Sequence, residues 1–251
     1  MLAANRCTWR AALAALALLP AACARADSEV VIATDRPAVT DSSVVVPQDA
    51  VQIESGIQAT DTGGHDVVDF PQALVRYGLL QKTELRLTLP DDYRNLPGGT
   101  SGLGDTAIGV KQQLGPDVSV VGFLSLPTGA RALTSHGYDP GVQLPWSHSL
   151  PANWTVAGQF AAYWPKVGGA RDYTSEATLL FDRQLTAPWD AFIEYAVDVP
   201  QRGGSRQLLH VGTAYKLTAH HQIDFHAAAG LSEAAVRSYL GVGYSYLWLA
   251  H

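Results

Sequence analysis

The sequence predicts an all-β fold, an antiparallel transmembrane β-barrel of about twelve strands of the outer-membrane type. Three observations predict it. The N-terminus has the layout of an export signal, the residues after position 50 alternate with period two, and short and long connections alternate along the chain.

Met1 to Arg10 carries Arg6 and Arg10, and Ala11–Leu19 is an unbroken apolar run. That run is too short to cross a bilayer as a helix, which needs about 20 apolar residues. Ala24-Arg25-Ala26 follows, with small residues flanking a cut before Asp27. A charged start, a short apolar run and a small-x-small site together read as a cleaved signal peptide, residues 1–26. Lipidation at Cys23 is the alternative, although Pro20 stands where a lipobox wants leucine. Residues 27–49 lack any ten-residue alternation and read as a periplasmic N-terminal segment. Residues 50–251 are the barrel domain, with no second domain.

The strands show as apolar positions two apart. Leu85, Leu87 and Leu89 alternate with Glu84, Arg86 and Thr88. Trp189, Ala191, Ile193, Tyr195 and Val197 alternate with Asp190, Phe192, Glu194 and Asp198. Leu209 to Leu217 and Ile223 to Ala229 repeat the pattern. Such alternation gives a strand one apolar and one polar face. Tight connections fall near Leu80–Thr83, Gly115–Asp117, Leu150–Asn153, Thr186–Pro188 and Thr218–His221. Longer polar ones fall at Thr60–Asp69, Asp91–Leu103, Thr128–Asp139, Pro165–Asp172, Pro200–Arg206 and Ser232–Arg237. Outer-membrane barrels sort their loops this way, short on the periplasmic side and long outside, with an even strand number and both ends in the periplasm. Tyr77, Trp154, Trp189, Tyr215 and the trio Tyr244, Tyr246 and Trp248 lie near the short turns, as membrane-boundary aromatics do.

Composition narrows the function classes. Without residues 1–26 the chain keeps 14 basic and 23 acidic side chains, a net charge of −9, so nucleic acid is not an expected partner. Both cysteines, Cys7 and Cys23, lie within those residues, so neither a disulfide nor thiol chemistry is expected. Gly98-Gly99-Thr100-Ser101-Gly102-Leu103-Gly104 is glycine-rich but lacks the Gly-Lys-Ser/Thr ending of a phosphate loop. No histidine pair has helical zinc spacing, and His210 and His226 fall on the polar faces of neighbouring strands. A Ser–His–Asn or Ser–His–Asp lipid hydrolase finds only Asn95 and Asn153 beyond residue 26, and no Gly-x-Ser-x-Gly elbow. No cofactor, metal or enzyme activity is expected.

Thr34-Asp35-Arg36-Pro37, Val39-Thr40, Ser42-Ser43, Val46-Pro47 and Gln52-Ile53-Glu54-Ser55-Gly56 form a distinctive series. Arg76-Tyr77-Gly78, Glu84-Leu85-Arg86, Gly104-Asp105, Gly109-Val110-Lys111 and Leu126-Pro127-Thr128-Gly129 continue it. Over nearly the whole chain past residue 26, the sequence resembles the family labelled putative meta-pathway of phenol degradation. The resemblance implies an outer-membrane barrel and passage of small solutes, aromatic ones included; it carries over no catalytic residue. Outer-membrane barrels commonly end on an aromatic residue that the assembly machinery recognises, whereas here Leu249-Ala250-His251 follow Trp248.

Charges face lipid only at a cost, so the period-two phase assigns the charged positions to the lumen. The lumen candidates are Glu54, Arg76, Glu84, Arg86, Lys111, Glu176, Asp182, Glu194, Asp198, His210, Lys216, Asp224 and His226. Mixed signs on neighbouring strands either line a hydrated path or pair into a plug. The expected function is therefore a passive channel in the outer membrane of a Gram-negative bacterium. A closed structural or ligand-binding barrel and an outer-membrane lipid hydrolase are the alternatives. The expected partners are outer-membrane lipids, the barrel-assembly machinery and a small solute.

Overall fold

The computed structural model describes residues 30–96 and 99–249. The signal peptide expected at residues 1–26, Cys23 included, the Pro97-Gly98 step and the Ala250-His251 end lie outside the described residues.

The chain enters the sheet at β1 (Ala50–Asp61). The next stave is β2 (Asp66–Phe70) plus β3 (Leu74–Leu80), interrupted at Pro71. The one after is β4 (Thr83–Thr88) plus β5 (Asp92–Leu96), interrupted at Pro90. A proline has no N–H to give a ladder, so each break falls where one stands. The gap is bridged by Gly56 N donating to Pro71 O (2.6 Å) and Leu89 N donating to Ala73 O (2.8 Å). A short β6 (Gly102–Leu103) pairs with β5. Then come β7 (Thr106–Gly115), β8 (Val118–Leu126), β9 (Asp139–Leu150) and β10 (Trp154–Tyr163). The two-residue strands β11 (Lys166–Val167) and β12 (Ala170–Arg171) make a separate loop hairpin. The chain ends with β13 (Thr174–Thr186), β14 (Trp189–Pro200), β15 (Arg206–Thr218), β16 (His221–Gly230) and β17 (Ser238–Leu249).

Neighbouring staves pair antiparallel, and β17 returns to β1 in one continuous register from Ala50↔Leu249 to Asp61↔Ser238. The result is a closed barrel of twelve staves, as the period-two pattern predicts. Closure removes every sheet edge from lipid. The five expected tight turns are the five hairpins at one end of the barrel. Two of the long connections are shorter than expected. Much of Thr60–Asp69 and Asp91–Leu103 is strand, because β2 and β5 pair with each other and extend the sheet past the rim. Asp66, Asp69, Asp92, Arg94 and Asn95 break the apolar alternation that marks the other strands.

Ile53, Ile57, Leu85, Val110, Ile193, Val211 and Phe225 are all exposed on the outer wall, while their sequence neighbours turn inward and are buried or half-buried. Trp154, Trp189, Tyr215 and Trp248 ring the short-turn end. Tyr138, Trp164 and Tyr173 mark the long-loop end. The small apolar core, Ile32, Val46, Ala50 and Leu247, sits at the short-turn end. Two of its four members come from the segment that precedes β1.

Candidate functional site

That preceding segment fills the lumen. Residues 27–49 are expected from sequence as a periplasmic lead-in, but the structure runs residues 32–46 up into the barrel and back. Ile32 N donates to Ala219 O (2.7 Å) beside the β15–β16 turn, which fixes the inbound end. Asp49 N donates to Gly78 O (2.7 Å) on β3, which fixes the outbound end. The apex is near Pro37–Val39.

A buried chain without strands must find partners for its peptide groups. Here the wall's side chains supply them. Glu54 accepts from Asp35 N (3.0 Å) and Arg36 N (2.9 Å). Glu194 accepts from Val39 N (2.9 Å) and Thr40 N (2.8 Å). Glu84 accepts from Val46 N (2.8 Å), and Gln159 accepts from Asp41 N (3.2 Å). In the other direction, Arg76 donates to Ala33 O (3.0 Å) and Val44 O (3.1 Å), and Lys111 donates to Ser42 O (2.9 Å). Ser119 donates to Ser43 O. The inward carboxylates and cations thus do for this segment what a neighbouring strand does inside a sheet.

The charges close around Asp35. Lys111 Nζ lies 3.0 Å from its Oδ1, Arg86 NH1 donates to its Oδ2 at 2.5 Å, and Arg76 NH1 is 3.4 Å away. Burial works against the Asp35 anion, but the three cations outweigh it and hold the carboxyl far below the usual range. Asp41 moves the other way: burial and the charge of Asp35 raise it, despite Arg86 at 3.2 Å. Arg76 is fully buried between Glu54 (2.9 Å) and Glu84 (2.8 Å). Arg36 pairs with Asp224 (3.3 Å) on β16.

The opposite wall carries a second chain of contacts. Thr40 Oγ1 donates to Glu194 Oε1 (2.6 Å), and His210 Nδ1 donates to Glu194 Oε2 (2.8 Å). His210 Nε2 faces His226 Nδ1 at 3.1 Å, so the two histidines do meet. With His210 protonated at Nδ1, its Nε2 accepts from His226, leaving His226 Nε2 buried without a partner. Nearer the long-loop end, Glu176 accepts from Gln159 (2.8 Å) and Tyr163 (3.0 Å), and Asp198 pairs with Arg206 (3.1 Å). Nearer the short turns, Lys216 pairs with Asp190 (3.5 Å), beside Asp182.

The structure therefore brings Glu54, Arg76, Glu84, Arg86 and Lys111 together around the inserted segment. It groups Glu194, His210, His226 and Asp224 across from them. Glu176, Asp182, Asp198 and Lys216 line the space to either side. Sequence reasoning missed Asp35, Arg36, Thr40 and Asp41, because they lie in no strand. It also missed Gln159, which sits in phase with Thr155 and Ala157 on the inner face of β10 but carries no charge to draw notice.

Three cavities remain in the lumen; one of about 330 Å³ lies between the segment's tip and Gln58, Gln72, Leu74 and His226, and the other two lie above and below the tip. An outer vestibule of about 580 Å³ is lined by Val39, Gln58, Tyr93, Leu133, Glu176, Asp198 and Tyr239 among others. An inner one of about 360 Å³ lies between the segment and the wall, against Thr155, Leu180, Asp182, Asp190, Phe192 and Lys216. The contacts of Thr40 and Asp41 with Thr178 (2.5 Å), Glu194 and Gln159 form the waist between them.

Comparison with known proteins places this geometry. A family model described as Putative MetA-pathway of phenol degradation matches residues 34–248. An outer-membrane channel from Pseudomonas putida F1 superposes with a TM-score of 0.65 at 17% sequence identity, covering 82% of this chain and 98% of that one. The NanC porin superposes with a TM-score of 0.52 at 9% identity, over 78% of this chain and 98% of that one. The KdgM porin in complex with disordered oligogalacturonate gives 0.52 at 11% identity, with the same coverage. At these identities the likeness is one of fold. The comparison with curated proteins finds no match.

Proposed function

This chain belongs to the family described as Putative MetA-pathway of phenol degradation, and from that premise we propose that it is a passive outer-membrane channel for small solutes, aromatic ones included, closed at rest by its own N-terminal segment. One observation carries the reading: the lumen holds an outer vestibule and an inner cavity, each lined by both polar and apolar side chains, and what lies between them is not wall but the tip of a tethered chain. Moving residues 39–41 off Glu194, Thr178 and Gln159 joins the two spaces without disturbing a single ladder bond of the barrel.

In this reading the long loops face the cell exterior and the short turns face the periplasm of a Gram-negative bacterium. Lipid covers the outer wall, and barrel-assembly machinery inserts the chain. Passage is by diffusion, with no cofactor and no catalytic step. Charged lumen groups set selectivity.

The purified protein in planar bilayers is expected to show discrete conductance steps from a mostly closed baseline. A flat record over a wide voltage range instead favours the second reading, a closed structural barrel, which the density of ion pairs around Asp35 supports. A lipid-hydrolysis assay on the same sample is expected to give no turnover.

A further inference from the structure

The wall beside the inserted segment is one anion short. Arg76, Arg86 and Lys111 stand on the inner faces of three neighbouring strands, β3, β4 and β7. The wall's own carboxylates there are Glu54 and Glu84, and both hold Arg76. Lys111 Nζ is 4.0 Å from Glu84 but 3.0 Å from Asp35, and Arg86 is closer to Asp35 (2.5 Å) than to Glu84 (3.0 Å). The missing negative charge comes from the segment that moves in the proposed opening: Asp35 meets all three cations, while Asp41 reaches Arg86 alone, at 3.2 Å. The two oxygens of Asp35 fill a two-sided seat. From the wall, Oδ1 accepts from Lys111 and Oδ2 accepts from Arg86; the further donor to Oδ1, Ser42 N (2.9 Å), belongs to the segment itself.

We propose that Arg76, Arg86 and Lys111 form a carboxylate-binding site of the lumen wall, occupied by Asp35 in the closed barrel and by the carboxylate of a small organic acid once the segment has moved off. Two oxygens in one plane, met from two sides by guanidinium and ammonium donors, are the geometry of a carboxylate rather than of a halide. Beside Asp35 the inner cavity offers Leu180, Phe192 and Ala214, room for a compact apolar body behind the acid group. The ligand class is thus a small apolar monocarboxylate, with benzoate as its probe. The proposal rests on the channel reading for how the site becomes accessible, and the test separates the two.

The full chain in detergent carries the test, as Asp35→Ala and Asp35→Asn. Leaving three buried cations short of an anion is expected to lower the unfolding midpoint of Asp35→Ala by roughly 10 °C. Benzoate or acetate at tens of millimolar restores most of that loss, saturably, and leaves the wild type unmoved. Benzamide, and chloride at matched ionic strength, restore nothing. Asp35→Asn keeps the side-chain volume and shows the same rescue; where a variant does not hold its fold, the readout is its refolding yield with and without benzoate. Absence of a benzoate effect in both variants overturns the site. Because this measurement involves no conduction, a silent bilayer beside a clear rescue sinks the channel reading alone, and conductance without rescue sinks the site alone.

Discussion

Asp35 is the residue on which most of the interior depends, and its chemistry fixes the sign of two effects. Truncating one member of a buried ion-pair cluster costs about 3–5 kcal/mol, because the partners are left charged and unpaired. Asp35→Ala is therefore expected to destabilise the closed barrel by about that amount, read as the shift in a denaturant midpoint, and to raise the time the channel spends open. The pH dependence follows from its depressed carboxyl pKa. A group of this kind contributes fully above its unfolded value, about 3.9, and loses its contribution as pH falls towards the folded value. The stability difference between wild type and Asp35→Asn is accordingly expected to stay flat from pH 8 to about 5 and to shrink below about 4. A difference that collapses between pH 7 and 5 would contradict the ion-pair assignment. Asp41 has the opposite sign, since burial and the Asp35 charge raise its pKa. Its protonation on acidification favours the seated segment, so acid through its titration tightens that end.

At the scale of elements, the inserted segment and the staves are held by different physics. The staves are locked by continuous ladders, whereas the segment hangs on side-chain contacts and on two apolar footings, Ile32 and Val46. Gly78 shows how close its return limb lies, because a Cβ there would stand 1.9 Å from Pro47 O. The separation of the two systems is testable with a covalent tie. Ser43 Oγ and Ser147 Oγ are 2.8 Å apart, and the residues beyond position 26 contain no cysteine. A Ser43→Cys, Ser147→Cys pair is expected to oxidise readily and to hold the conductance at its closed level. Reductant then returns the wild-type record; an oxidised pair that still opens would show that the segment is not the gate. The same division accounts for what was legible in advance. The staves announced themselves by alternation. Residues 30–49 did not, though Thr34-Asp35-Arg36-Pro37 and Ser42-Ser43 stood out as motifs, because a chain that takes its hydrogen bonds from remote side chains has no period to display.

For the whole molecule, bilayer and lumen impose opposite demands on adjacent residues. Ile193 is exposed on the outer wall, and its neighbour Glu194 is buried inside. Ile193→Arg is expected to cost roughly 2–4 kcal/mol if it sits near the midplane, seen as a lower temperature for the folded-to-unfolded gel shift. Glu194→Gln is expected to leave that temperature closer to wild type while loosening the waist, because the amide oxygen still accepts from Val39 or Thr40. If the two variants shift the gel transition equally, the inside-outside assignment of β14 is wrong.

The barrel was determined by the sequence alone. Strand count, hairpin positions, outward aromatics and inward charges all follow from rules that act over one strand and its turn, and phase alone assigns the thirteen charged and histidine positions to the inner face. Only the tertiary structure decided what those charges hold. Val39 and Glu194 are 155 positions apart, and Lys111 and Asp35 are 76 apart. No local pattern encodes contacts at that range, since they exist only once the sheet has closed around the segment and excluded the water that would otherwise satisfy both sides.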